Sequence, residues 1–444
     1  MPTLPPSLRI TPISHALNAI VRVPGSKSLT NRALLIASLA NGTTHLTNTL
    51  FSDDSRYFAK ALQTLGFDVQ LNEANHSMTV TGLGGKIPAK KAELFIGNAG
   101  TAARFLSAFL TLGDGEYIID GEPRMRERPI GDLVEALEQL GCDIESMQKA
   151  EGGMQICPPV KITASGLRGG RTTIAGDISS QFLSALLMVA PYAQTPIEVE
   201  LTTDLNSKPY VDMTISIMKD FGVEIERDGY SRFTLHPSSF FPLSSYAIES
   251  DASAASYFFA APAICGGTVK VENISRNSVQ GDIAFLDVLQ QMGCTVQETD
   301  NCLLVTGHSQ LHGIDIDMRD IPDTAQTLAA IAPFADSPTR IRGIASARVK
   351  ETDRVHATCT ELARLGVQVE EHADGMTIHP TFNLQLSTFK PATIQTYNDH
   401  RMAMAFSLIG LRVDGVTIEN PSCVSKTFPN YFEVLEELRT QGNK

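Results

Sequence analysis

Five times along this chain, an amphipathic helical pattern runs into a glycine and then into a short strand pattern, often β-branched. The segments are ALQTLGFDVQ (61–70), ALEQLGCDIE (136–145), IMKDFGVEIE (217–226), VLQQMGCTVQ (288–297) and ELARLGVQVE (361–370). Their glycines, Gly66, Gly141, Gly222, Gly293 and Gly366, stand 71 to 81 residues apart, and VLEELR (434–439) begins a sixth copy at a similar interval. Glycine enters the left-handed backbone region without a Cβ clash, which is why it closes helices. Six α/β units of this size are compact folding units, since thin solenoids repeat every 20–50 residues or so.

Two breaks divide the six units. One is the Pro/Ser-rich stretch HPSSFFPLS (236–244), and the other is AIVRVPGSKS (19–28), where a strand meets Pro24-Gly25. We therefore expect an α/β protein of two globular domains joined by a double crossover. Residues 25–248 form an inserted domain, and residues 1–24 combine with 249–444. A double crossover implies a hinge, and a hinged cleft between domains is a common place for a ligand.

The chain has 444 residues, 43% hydrophobic and 19% charged, which suits two or three domain-sized units with sizeable cores. Its net charge of −13 and pI of about 5.3 disfavour broad binding to nucleic acid or anionic membranes. Any anion it binds must be held by a local cluster of cations. The seven cysteines are widely spaced with no CxxC, so reduced buried thiols are expected and neither a disulfide framework nor a zinc site. The start MPTLPPSLRITPIS lacks a signal-peptide pattern and is short for a plastid transit peptide. The longest apolar run, near Phe182 to Tyr192, is too short to span a bilayer. These features point to a cytoplasmic protein.

Polar and cationic residues recur just before apolar helices. In VPGSKSLTNRALLIASLA (23–40), Ser26, Lys27, Ser28 and Thr30 precede such a helix, with Arg32 inside it. Helix-start N–H groups with these side chains make an anion cradle, though the Walker A spacing is absent. In LFIGNAGTAARFLSAFL (94–110), small residues around Asn98 and Gly100 allow close backbone approach to a ligand, and Arg104 follows. GEPRMRERPIGDL (121–133) puts Arg124, Arg126 and Arg128 in one loop, where they repel unless solvent or an anion separates them. GDISSQFLSALL (176–187) offers Ser179, Ser180 and Gln181, and SKPYVDMT (207–214) adds Ser207, Lys208 and Tyr210.

Carboxylates join the cations further on. IPDTAQT sets Asp323 before an apolar helix, where capping alone would explain it. ARVKETDRVHAT (347–358) gathers Arg348, Lys350, Glu351, Asp353 and Arg354, with Glu351 and Arg354 on one face if the segment is helical. YNDHRMAMAF (397–406) holds His400 and Arg401, and SKTFPNYFEVL (425–435) holds Lys426. Each segment alone reads as a helix cap or a solvated ion pair. Together they describe an anion-binding cleft, dried by closure over a polyanion, with carboxylates able to move protons.

The motifs PGSKSLTNRAL, GNAGTAAR, GEPRMRERPIG, GDISSQF, SKPYVDMT, RVKETDR, NDHRMAMAF and KTFPNYF, in that order over nearly the whole chain, resemble the 5-enolpyruvylshikimate-3-phosphate synthase family of enolpyruvyl transferases. The resemblance implies two domains of three βαβαββ units each. It implies transfer of the enolpyruvyl group of phosphoenolpyruvate to the 5-hydroxyl of shikimate 3-phosphate, through a tetrahedral intermediate, with neither metal nor organic cofactor, in aromatic amino-acid biosynthesis. A monomer is expected, with no nucleic-acid or membrane partner.

Carried over by motif, Lys27, Ser28, Arg32, Ser179, Ser180, Gln181, Ser207, Tyr210, Asp323, Ser346 and Lys350 would hold shikimate 3-phosphate. Lys27, Asn98, Gly100, Arg128, Gln181, Arg354, Arg401 and Lys426 would hold phosphoenolpyruvate. Asp323 would take the hydroxyl proton, Glu351 would shuttle protons at the methylene, and Lys27 and His400 would stand at the reacting atoms. Ser346 stands where many members have asparagine, and Phe105 where many have proline.

Two other readings share the architecture. UDP-N-acetylglucosamine enolpyruvyltransferases carry a Lys-Asn pair near the start and usually a reactive cysteine in the arginine loop; here the start is Ser-Lys-Ser and 113–131 has no cysteine. RNA-terminal phosphate cyclases fit poorly with an acidic chain. From a different class, a non-catalytic anion-binding regulator would have no need of Asp323 and Glu351, both of which are present.

Overall fold

The structure, a computed structural model, describes residues 4–147, 156–381 and 389–441. The chain divides into two compact units, one of Gly25–Ile248 and one that joins Met1–Pro24 to Glu249–Lys444.

One motif builds both units. In the first, strand Lys91–Phe95 lies parallel to Asp114–Asp120, and the helix Gly100–Leu110 crosses between them. The helix Gly131–Gln139 then leads to Asp143–Ser146 and Val160–Ser165, which pair antiparallel, with Val160–Ser165 also beside Asp114–Asp120. A parallel pair needs a crossover of a dozen or more residues, which the buried helix supplies, whereas antiparallel neighbours need only a turn. The same βαβαββ order recurs in Gly170–Ile174, Ile197–Leu201, Glu226–Asp228 and Arg232–Leu235. In the remaining copy the leading strand comes from the end of the unit, where Tyr246–Ala247 runs parallel to Asn41–Thr47. That sheet is completed by Ser77–Leu83 and Asp68–Asn72.

The other unit repeats the pattern around the insertion. Leu17–Arg22 runs parallel to Gly267–Glu272, although the whole first unit lies between them in sequence. Cys302–Gly307 and Thr295–Thr299 finish that sheet. Asp315–Asp317, Thr339–Arg342, Gly375–Ile378 and Val369–His372 form the next. Ala392–Ile394 and Val416–Glu419 begin the last, whose third strand is Ser7–Arg9 from the other end of the chain.

The repeated glycines close the second helix of each copy. All five are left-handed, with φ between 84° and 102° at Gly66, Gly141, Gly222, Gly293 and Gly366. At each, the N–H of the following residue returns to a carbonyl five positions back, as in Phe67 to Leu62, Cys142 to Leu137 and Val367 to Leu362. This satisfies end carbonyls that the helix itself cannot.

The two helices of a copy differ. The second is amphipathic, as in Asp53–Thr64 and Arg354–Arg364, which bury one face. The first is apolar nearly all round and buried, as a core helix must be. Lys27–Leu39, Gly100–Leu110 and Ser180–Val189 are the buried helices of one unit. Ala252–Cys265, Ala325–Ile331 and His400–Arg412 are those of the other. Among the described residues, no helix is long and apolar enough to cross a membrane.

Candidate active site

Within the unit Gly25–Ile248, one guanidinium gathers three helix starts. Arg32, 1% exposed in the second turn of Lys27–Leu39, donates to the Ser28 carbonyl (3.0 Å), the Tyr210 carbonyl (3.0 Å), the Thr214 hydroxyl (2.7 Å) and the Ser184 hydroxyl (3.4 Å). The Phe105 ring lies 5.2 Å from it, so the residue that replaces proline in the helix Gly100–Leu110 packs on the same cation. These four bonds all go to neutral oxygens, and burial lowers the Arg32 pKa to about 10. A buried cation bonded to neutral oxygens favours an anion nearby, because charge buried without a counter-charge is costly.

Arg104 has the matching role in the next copy. It donates to the Gly100 carbonyl (3.2 Å) and the Pro129 carbonyl (2.5 Å), and stands 5.9 Å from the Phe182 ring in the first turn of Ser180–Val189. The first turns of four helices are thus drawn to one region of this unit, and exposed N–H groups there favour negative charge. Ser179 caps one of them by accepting from the Gln181 N–H (3.3 Å), while Ser207 stands at the N-cap position of another in a left-handed conformation (φ 58°). Lys27 reaches this unit's Asp54 at 3.7 Å, with both side chains largely buried.

The three arginines of 124–128 separate. Arg124 pairs with Glu127 (2.8 Å) and Arg126 with Asp120 (2.6 Å) on the surface. Arg128 turns inward, 4% exposed, and donates to the Asn98 carbonyl and side-chain oxygen, both at 3.0 Å. It can lie there because Gly100 has no side chain: a Cβ at that position would stand 2.4 Å from the Arg128 Nη2.

The unit Met1–Pro24 with Glu249–Lys444 holds an ion network centred on Arg354, the first residue of its helix and 3% exposed. Its guanidinium donates to Asp399 (2.8 Å), Glu351 (2.7 Å) and Asp323 (3.1 Å). Arg401 donates to the other Asp323 oxygen at 2.6 Å, and Lys426 lies 3.8 Å from Glu351. The His400 ring is 1% exposed, with Nδ1 3.6 Å from Asp399. Burial by itself would lower the Arg354 pKa, yet the charges of Asp399, Glu351 and Asp323 outweigh it and hold the guanidinium above its ordinary value.

Several sequence expectations change here. Asp323 does not cap the helix that follows; Thr324 stands at that position and the Asp323 carboxylate is spread between two arginines. Lys350 and Glu351 precede the helix, which begins at Arg354, so the Glu351–Arg354 pair forms across its entrance and not along a helix face. Arg348 and Asp353 leave the cluster: Arg348 bonds Asp353 and Glu371 (both 2.8 Å), and Asp353 caps the helix. Ser346 lies in the 3-10 turn Ala345–Val349, with Lys350 just after it, both partly exposed.

The sequence reading missed Asp54, Asp282 and Asp399. Asp399, wholly buried, caps His400–Arg412 and accepts from Arg354, and an aspartate directly before an apolar helix was its available signal. Asp282 is 3% exposed and accepts from the Ser253 hydroxyl. Burial, then the charge of Asp323, pushes its carboxyl up to about 6, against Arg401 and the Ser253 bond, while Asp251 adds to the rise.

A carboxyl raised in the folded state keeps a proton that the unfolded chain gives up from about pH 4, so its contribution falls as pH rises towards 6. Asp282→Asn will therefore raise the melting temperature against the parent at about pH 8 and leave it nearly unchanged at about pH 4. Thermal melts at the two pH values check this, and equal shifts at both contradict it.

Known proteins resemble this chain over nearly its whole length. The sequence profile of the EPSP synthase family (3-phosphoshikimate 1-carboxyvinyltransferase) matches residues 11–435. A 3-phosphoshikimate 1-carboxyvinyltransferase of Nostoc punctiforme is 49% identical over 98% of this chain and 100% of its own. One from a Sulfurovum species is 50% identical over 97% and 99%. Among solved structures, an EPSP synthase of Acinetobacter baumannii superposes with a TM-score of 0.79 at 26% identity, covering 97% of this chain and 98% of that one.

Proposed function

The chain belongs to the EPSP synthase family, and on that premise we propose how its residues divide the reaction. Its activity is that of a 3-phosphoshikimate 1-carboxyvinyltransferase of the shikimate pathway, which joins phosphoenolpyruvate to shikimate 3-phosphate.

In this reading Lys27, Ser28, Arg32, Ser179, Ser180, Gln181, Ser207 and Tyr210 hold shikimate 3-phosphate, with Ser346, Lys350 and Asp323 at its hydroxyls. The convergence of helix starts on Arg32 supports this, because the substrate's anionic groups would supply a counter-charge that the neutral oxygens around that guanidinium do not. Lys27, Asn98, Gly100, Arg128, Gln181, Arg354, Arg401 and Lys426 hold phosphoenolpyruvate.

Proton transfer falls to the carboxylates. A proton delivered to the phosphoenolpyruvate methylene makes it a methyl group and leaves its neighbouring carbon electron-poor. The 5-hydroxyl oxygen of shikimate 3-phosphate attacks that carbon while Asp323 takes the hydroxyl proton. The adduct then loses phosphate and one methyl proton, restoring the double bond. Glu351 handles protons at the methylene, while Lys27 and His400 border the reacting atoms. Carboxylates stabilise the developing positive charge, and the cations hold the phosphates. The observation that carries this assignment is Asp323 fixed by Arg354 and Arg401 together, which orients it without consuming its role as an acceptor. We place the enzyme in the cytoplasm as a monomer, with the net charge of −13 disfavouring nucleic-acid and membrane partners.

Phosphate release from phosphoenolpyruvate, measured with shikimate 3-phosphate and in parallel with UDP-N-acetylglucosamine, tests the reading. Release only with the shikimate ester is expected, and release only with the UDP-sugar overturns it. Gly100→Ala is the sharpest probe of the Arg128 seat. The added methyl displaces a guanidinium 2.4 Å away, so the KM for phosphoenolpyruvate will rise about tenfold or more with the fold intact. Steady-state kinetics and a thermal melt measure both, and an unchanged KM removes Arg128 from phosphoenolpyruvate binding.

A further inference from the structure

We infer that Glu361 and Tyr397 are positioning residues that set Arg401 and Lys426 for phosphoenolpyruvate by holding a strained turn between them. The inference rests on the substrate assignment above.

The turn stands directly before Asp399. Tyr397 has φ 53° and Asn398 φ 55°, two successive residues with side chains in the left-handed region. Asparagine tolerates that conformation, but a bulky ring rarely takes it, and such backbone persists only where its surroundings enforce it. The backbone N–H of Asp399 returns to the Thr396 carbonyl at 2.8 Å and closes the turn.

Glu361 supplies the enforcement. It lies two helical turns after Arg354 on Arg354–Arg364 and is wholly buried. Its carboxylate accepts from the Tyr397 hydroxyl (2.8 Å) and from the Gln395 backbone N–H (3.1 Å), one bond on each oxygen, and from Arg364 (2.9 Å). Burial and then the Glu361 bond push the Tyr397 hydroxyl up to about 12, so it remains a donor throughout the working range. A single helix therefore grips Asp399 with its first residue and the turn before Asp399 with its eighth.

The turn leads two ways. Forward in the chain it fixes Asp399, whose carboxylate takes the Arg401 N–H at 2.9 Å and so places the Arg401 side chain. Sideways, the Asn398 side chain accepts from Asn420 at 3.2 Å. Asn420 is itself left-handed and opens the 3-10 turn Pro421–Lys426, which ends in Lys426. Each proposed phosphoenolpyruvate cation of this unit, Arg354, Arg401 and Lys426, is thus tied to one buried carboxylate.

Tyr397→Phe removes only the hydroxyl that donates to Glu361, from a ring that is 40% exposed, and so tests the inference without endangering the fold. The KM for phosphoenolpyruvate will rise roughly fivefold to tenfold, while the KM for shikimate 3-phosphate and the melting temperature stay near those of the parent. Glu361→Gln, which turns one acceptor into a donor that opposes Arg364 in either amide orientation, will shift the same KM further in whatever fraction folds. A merely structural role would lower the melting temperature and leave both KM values alone. That result overturns the inference, as does an equal rise in both KM values. A parent protein that releases no phosphate would instead sink the substrate assignment.

Discussion

Asp323→Ala will lower kcat by about 10²–10⁴-fold, the usual worth of a positioned general base, and will change the dissociation constants of both substrates far less. The asymmetry follows from the ion network. Asp323 neutralises some of the charge on Arg354 and Arg401. Removing it frees cationic charge towards anionic substrates, which offsets the lost contact to a hydroxyl of shikimate 3-phosphate. Turnover nevertheless falls, because the carboxylate assigned to take the hydroxyl proton is gone. Titration calorimetry for binding and phosphate release for turnover separate the two effects. Equal loss of both would remove Asp323 from the proton transfer and make it a binding residue.

Arg354→Ala will be damaging in a different way. Arg354 holds Asp399, Glu351 and Asp323 at once, and Asp399 is wholly buried. Breaking a buried ion pair from one side costs about 3–5 kcal/mol, because the partner charge is stranded. A lower melting temperature and near-complete loss of kcat/KM are expected together. Arg354→Lys keeps one positive charge without the three-way fork, and will recover stability better than activity. Full activity in Arg354→Lys, measured beside the thermal melts, contradicts an orienting role for the guanidinium.

The repeat was legible because helix closure is a local event. A left-handed glycine after an amphipathic helix leaves the same trace in each copy, and all five glycines have that conformation. The junctions before the buried helices were legible for the same reason. Their partners were not, since pairing is set by how helices stack and not by spacing in sequence. Asp323 has the local signature of a cap, yet its carboxylate is claimed by Arg354, 31 residues on, and Arg401, 78 residues on. Arg124, Arg126 and Arg128 look equivalent in sequence, and only Arg128 is drawn inward, because Gly100 leaves room for it. Arg348 and Arg354 look similar too, and the strand Val369–His372 takes Arg348 away through Glu371 and the His372 carbonyl. Asp399 escapes notice in the sequence because a buried acid that caps a helix resembles any other cap until its second oxygen is seen beside Arg354.

Carboxylates moving protons at the vinyl carbon inside a frame of cations are the core of this account, and running the reaction in heavy water tests them most directly. Addition followed by elimination passes through a methyl group, so deuterium will appear at the methylene carbon of the product, and Glu351→Gln will slow its appearance along with turnover. A product that forms at full rate with only protium at that carbon contradicts proton addition, and with it the role given to Glu351.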